Sequence, residues 1–168
     1  MNFFRSITAA AASIALSALP TLAAVDSGTK SLLNTINSNG IQVNVNSDEC
    51  DTDYLGKYVF SGMKRSLVLC PGETVDPIDF ATVRHEAWHA IQHCVNAARG
   101  TELNTPVQAD LHKLTEWIDE GLTRETVDYV RQEYPEDQWW IEWEANLAEI
   151  HMSASQIEEI FEGACLAD

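Results

Sequence analysis

Positive charge is scarce in this chain. Only 10 Lys and Arg stand against 26 Asp and Glu over 168 residues, a formal net charge of −16. A field of that sign repels nucleic acid and anionic lipid, so neither is an expected partner. Long apolar runs are scarce too. The one near the start, Ile7 to Leu19, has 13 residues, and at about 1.5 Å of rise per residue it is too short to span a bilayer. Internal repeats, low-complexity stretches and Gly/Pro-rich linkers are missing, with five Pro and eight Gly spread thinly. That excludes solenoids and tethered modules, and it points to one domain. No C-x-x-C spacing occurs among the four cysteines, which argues against a zinc site built from thiolates alone.

What is present begins with a leader pattern. Met1 to Arg5 is a short positive start, the apolar run follows, Pro20 breaks it, and Thr21-Leu22-Ala23-Ala24 offers small residues for cleavage. Residues 1–24 are therefore expected to be a signal peptide, and residues 25–168 a single domain, secreted or periplasmic and not inserted in a membrane. The alternative is a disordered or buried N-terminal helix. Cleavage removes Arg5 and no acid, so the net charge moves from −16 to −17. Four cysteines in an exported chain suggest two disulfides in one of three pairings. Cys50–Cys70, a local staple across a hairpin, and Cys94–Cys165, tying a central helix to the C-terminus, are the expected pair.

Periodicity divides the domain in two. Ser27 to Asn37 reads as a short helix stopped near Gly40, and Ile41 to Asn46 alternates as a strand. Lys57–Phe60 and Ser66–Cys70 flank the turn Ser61-Gly62-Met63-Lys64 as a hairpin, closed by Pro71-Gly72. Everything after Asp76 reads as about five helices. The first runs from Asp76-Pro77 to Gly100 and the second from Thr105-Pro106 to Gly121. The third spans Thr123 to Tyr134-Pro135, the fourth carries Trp140, Trp143, Leu147 and Ile150, and the last starts at Ser153 or Ser155. A small β-sheet followed by a helical bundle is an α+β architecture.

The chemistry sits in the first of these helices as His85-Glu86-Ala87-Trp88-His89, an H-E-x-x-H pentapeptide. Residues four apart share a helix face, so both imidazoles can reach one ion, and neutral imidazole is a good Zn²⁺ ligand. Glu86 lies one residue further round, where it can act as general base on a water held by zinc and return the proton to a leaving amine. The alternative is two surface histidines on an ordinary amphipathic helix. A catalytic zinc site usually takes three protein ligands. His93 continues the spacing, but a third residue on the same straight helix cannot close round the ion. Glu142, in Glu142-Trp143-Glu144-Ala145-Asn146, is the expected third ligand. Asn146, one turn on, is available to accept from the far N–H of a ligating histidine.

H-E-x-x-H followed by this E-x-E-A-N helix resembles the gluzincin group of zincins. It is similar in particular to the E-x-x-A-[DN] segment of membrane CAAX-type endopeptidases and of ImmA/IrrE-like peptidases. The resemblance implies Glu142 as third ligand and a zincin-like fold with an edge strand beside the active helix. Trp117-Ile118-Asp119-Glu120-Gly121-Leu122-Thr123 resembles a second gluzincin segment, from zinc aminopeptidases, which makes Glu120 a rival; Glu144 is another.

An oxyanion donor is expected from a Tyr or His, with His112, Tyr129, Tyr134 and His151 as unranked candidates. The tryptophans at 139, 140 and 143 read as core or as a binding wall, and Gln92 and His93 as supports of the site or solvated residues. The resulting expectation is an exported zinc metallopeptidase acting on peptides or proteins, with the strand ending at Leu69 aligning substrate by β-addition. The competing expectation is a catalytically silent zinc-binding module that recognises a partner.

Overall fold

The computed structural model describes residues 26–45, 50, 55–61, 64–70, 80–101 and 104–166. The expected signal peptide, the start of the long helix at Asp76-Pro77, the turn at Gly62-Met63 and the Pro71-Gly72 closure lie outside them.

Asp26 opens the first helix, α1 (Ser27–Ser38), by accepting from the backbone N–H of Gly28 and Thr29 at 2.9 and 3.0 Å. Three strands follow: β1 (Gln42–Val45), β2 (Gly56–Ser61) and β3 (Lys64–Leu69). They form one sheet in the order β1-β3-β2. The β1–β3 pair is parallel, with Gln42 opposite Ser66, and β2–β3 is an antiparallel hairpin with Gly56 opposite Leu69. Leu67, Val68 and Leu69 are all buried, as a central strand covered on both faces requires. This corrects the expectation that the strand ending at Leu69 receives substrate. Both edges of β3 are already paired, and the edge strand packed against the long helix is β2.

The long helix α2 (Phe80–Arg99) is the hub, in contact with α1, α5, α6 and the sheet. Gly100 ends it at φ 65°, and the Thr101 N–H returns to the Asn96 carbonyl at 3.0 Å. Glycine adopts that left-handed turn without a Cβ penalty. Next come α3 (Leu111–Gly121), α4 (Arg124–Glu133), a 3-10 turn at Glu136–Gln138, α5 (Trp139–His151) and α6 (Ala154–Cys165). Ser153 and Gln156 form a reciprocal capping box at the start of α6.

The second of the expected helices starts late. Asp110 caps α3 through the N–H groups of His112 and Lys113, and residues 105–108 are not helical. The Thr105 carbonyl accepts from Asn96 Nδ2, while the Val107 and Gln108 N–H groups go to the Glu144 carboxylate. Those long-range bonds hold Thr105–Gln108 out of the helix.

Two apolar clusters result. The larger joins Leu32, Ile36, Leu67, Val83, Ile91 and Phe161, among others. The smaller joins Leu114, Ile118, Val130 and Trp143, with Trp139 and Trp140 packed against it. Disulfides Cys50–Cys70 and Cys94–Cys165 are both formed, as expected. They suit an oxidising, extracellular-type environment. No helix among the described residues is long and apolar enough to cross a membrane.

Candidate metal centre

Helices α2 and α5 run antiparallel. Arg84 Nε donates to the Glu149 carbonyl at 2.9 Å near one end, and Gln92 Nε2 donates to the Ile141 carbonyl at 3.0 Å near the other. Ala87 and Ala90 on α2 and Ala145 on α5 are fully buried, and such small side chains let the helices approach closely. That approach brings Glu142 onto the histidine pair. Glu142 Oε2 lies 3.3 Å from His85 Nε2, and its Oε1 lies 3.4 Å from His89 Nε2. One ligand atom from each of the three residues falls within 4.8 Å of the others.

Ligand atoms about 2.1 Å from a tetrahedral zinc stand about 3.4 Å apart, which the two Glu142 contacts match, each through its own oxygen, within a group that could hold a metal ion. The far ring nitrogens are held as well. His85 Nδ1 lies 3.0 Å from Glu149 Oε2, and His89 Nδ1 lies 2.7 Å from Gln92 Oε1. Each partner is an oxygen acceptor, so each Nδ1 carries the proton and each Nε2 can offer its lone pair inward. Without an ion the same geometry retains protons. Burial alone would depress the His85 pKa, but the carboxylates of Glu142 and Glu149 outweigh it and hold it at about 10. Burial would likewise raise Glu142, yet its bonds to His85 and His89 bring it to about 2. His89 is raised on balance, with burial opposed by Glu142.

Glu86 is buried beside the pair. Burial raises its pKa, against the lowering effect of His89 and His85, and the backbone N–H of Tyr58 donates to it. Gly56 makes this contact between β2 and α2 feasible. A Cβ there would stand 2.5 Å from Thr82 Cγ2 and 3.0 Å from Glu86 Cγ. A cleft of about 200 Å³ opens over His89 and Glu142. Tyr58, Phe60 and His93 line one bank, and Asn104, Gln138 and Ile141 the other.

The remaining candidates separate by position. Glu144 is buried and accepts from Trp88 Nε1, Gln92 Nε2 and the Val107 and Gln108 N–H groups at 2.8–3.2 Å. Four donors make it a structural anchor, not a ligand. Glu120 is exposed at the edge of a separate cavity of about 740 Å³, walled by Trp88, Trp117, Leu147 and Met152. Gly121 is there for packing, since a Cβ would meet Leu147 Cδ2 at 2.6 Å. Asn146 does not reach a histidine: its Nδ2 donates to the Glu142 carbonyl at 2.9 Å. Glu149 takes the role expected of Asn146. It stands seven residues after Glu142, two full turns on and so on nearly the same face, a spacing that could have singled it out.

Among the oxyanion candidates, His112 is 86% exposed and beside Glu116, and His151 Nε2 meets the Gly121 carbonyl. Tyr129 is exposed. Tyr134 is only partly exposed. Burial raises its phenol, followed by neighbouring negative groups that include Glu142 and Glu86, which puts it within electrostatic reach of the centre.

Comparison of the chain with family models, with curated proteins and with solved structures finds no match.

Proposed function

We propose that this protein is an exported zinc metallopeptidase, with His85, His89 and Glu142 as metal ligands and Glu86 as general base. The observation that carries the reading is the donor set itself. Two Nε2 atoms lie 3.3 and 3.4 Å from one carboxylate, each imidazole with its far nitrogen on an acceptor. A His₂Glu set is a known form of catalytic zinc site, and it leaves a fourth position open. Zinc held there supplies Lewis acidity, polarising a scissile carbonyl and acidifying water.

The chain's own groups do the rest. Glu86 takes the proton as the water oxygen bonds to the carbonyl carbon. It then hands that proton to the amine nitrogen as the C–N bond breaks, so the sum is hydrolysis of one peptide bond. Its raised pKa suits a group that must hold a proton briefly and release it. Tyr134, which feels the charges of Glu142 and Glu86, is the candidate donor to the carbonyl oxygen as charge builds there. Among the described residues β2 is an edge strand lying beside α2, and its exposed end at Phe60-Ser61 aligns an extended peptide. Residues 1–24 are the signal peptide on this reading, and the exported protein begins at Val25, which an intact-mass measurement checks.

One observation favours a catalytically silent zinc-binding module instead: Glu86 already accepts a backbone N–H from Tyr58. Glu86→Gln separates the two. The peptidase reading expects cleavage of an unstructured protein to fall at least about a hundredfold, the scale of general acid–base catalysis, with bound zinc unchanged. A wild-type protein that binds zinc and cleaves nothing would establish the binding module.

A further inference from the structure

We infer that the cleft selects an aromatic side chain, so that peptides acted on here carry Phe or Tyr next to the cleaved bond. The inference rests on the metal centre proposed above and adds its substrate class. Its basis is the bank formed by β2 and the last turns of α2. The Phe60 and His93 rings meet edge-to-face with centroids 4.8 Å apart, and Tyr58 meets His93 in the same way at 5.7 Å. His93 is thus clamped by two rings on a rigid helix, while Phe60 keeps 43% of its surface exposed on an edge strand. An apolar ring left open beside an ion site is a surface that gains by being covered.

The opposite bank is neutral. It consists of the Asn104 and Gln138 amides and Ile141, with Asn104 tied to Asp137 of the 3-10 turn at 3.1 Å. Among the described lining residues the only acid is Glu142, which would serve the ion, so none of them offers a spare carboxylate to a Lys or Arg side chain. Among the described residues no Lys or Arg lines the cleft either, and the net charge of −16 disfavours an acidic side chain. That leaves neutral groups, and among them the 43% exposed ring of Phe60 favours an apolar one. Aromatic pairs at these centroid distances add roughly two- to twelvefold in affinity beyond area burial, which favours a ring over an aliphatic chain. At about 200 Å³ the cleft is below the range of whole small-molecule sites, and it takes one side chain.

Hydroxamates anchor to a metal and report on the adjoining subsite without any turnover. With the zinc-loaded full chain, phenylacetohydroxamate is expected to bind at least about tenfold tighter than acetohydroxamate by calorimetry. Phe60→Ala should reduce that ratio to about twofold while the protein keeps a cooperative melting transition and its bound zinc. His93→Phe should retain the ratio and His93→Asn should lower it. Equal binding of both compounds by the wild type, or a ratio untouched by Phe60→Ala, overturns the aromatic subsite while leaving the metal centre standing. If neither compound binds, the metal centre fails and the subsite with it.

Discussion

Gln92 shows how a single amide can set the tautomer of a candidate metal ligand. Its Nε2 has two acceptors, the Ile141 carbonyl at 3.0 Å and Glu144 Oε2 at 2.9 Å. A flipped amide would face both with an oxygen, so Oε1 must point at His89 and Nδ1 must carry the proton. Gln92→Leu removes that acceptor, and Glu149→Leu removes the equivalent one at His85. Each is expected to weaken zinc binding about 10- to 100-fold, the usual scale for losing such a partner, in competition with a chromophoric chelator. Asn146→Ala, which touches only the Glu142 carbonyl, should change it far less.

Protonation gives a second expectation at this scale. In the metal-free protein His85 has a pKa of about 10, so at pH 7 a proton occupies the place an ion would take. Zinc binding should release at least about one proton per ion, read by calorimetry in buffers of different ionisation enthalpy. The same ion pair shapes the stability of the metal-free protein. His85 is raised on folding, so its contribution is complete below its unfolded pKa of 6.5 and is lost as pH rises towards about 10. Glu142 is lowered, so its contribution is complete above 4.5 and is lost as pH falls towards about 2. Thermal unfolding without metal should therefore be most resistant between these limits, and a flat profile would contradict the pairing.

Among the elements, α5 carries more than its ligand. From the turn between Glu142 and Asn146 it sends Glu144 to the Val107 and Gln108 N–H groups, to Trp88 and to Gln92, joining the 105–108 segment to the metal helix. Glu144→Ala would bury those donors without an acceptor. At roughly 1–3 kcal/mol for each buried group left unpaired, a loss of at least about 3 kcal/mol is expected in denaturant unfolding. Zinc affinity should fall as well, since Gln92 loses one of the two acceptors that orient it.

This element also shows what a sequence can and cannot convey. The 3.6-residue stripe of α2 and the H-E-x-x-H spacing are local, so that helix, its Gly100 stop and its two histidines were readable directly. Although Asn146 does not play the part assigned to it, the placement of Glu142 beside the histidines was expected from its E-x-E-A-N segment and the resemblance that segment carries. The 105–110 segment was not, because its conformation is decided by an acid 36 residues away. Nor was the order β1-β3-β2, since strand pairing depends on partners that local pattern does not name. Val107 fits a helical stripe in the sequence and sits outside the helix in the fold.

Over the whole molecule, two disulfides cross-link the chain, and one of them closes on the hub helix. The Cys94–Cys165 disulfide spans 71 residues and ties α2 to α6, whereas Cys50–Cys70 spans 20. In the loop-closure picture the longer one stabilises by about 4 kcal/mol and the shorter by about 3 kcal/mol. A metal held by His85, His89 and Glu142 would join α2 to α5 as a third link. At a free concentration a thousandfold above its dissociation constant it adds about 4 kcal/mol, because the unfolded chain has no assembled site. A domain of this kind has only about 5–15 kcal/mol of net stability. Losing the long disulfide and the ion together should therefore remove most of it, and losing either alone should not. The Cys94→Ala/Cys165→Ala protein is expected to unfold at lower temperature yet stay folded in zinc, and to lose its cooperative transition near 37 °C when a chelator is added. The wild type under the same chelator should keep that transition. If the chelator leaves the melting curve of the double variant where it was, no ion is bracing α2 against α5.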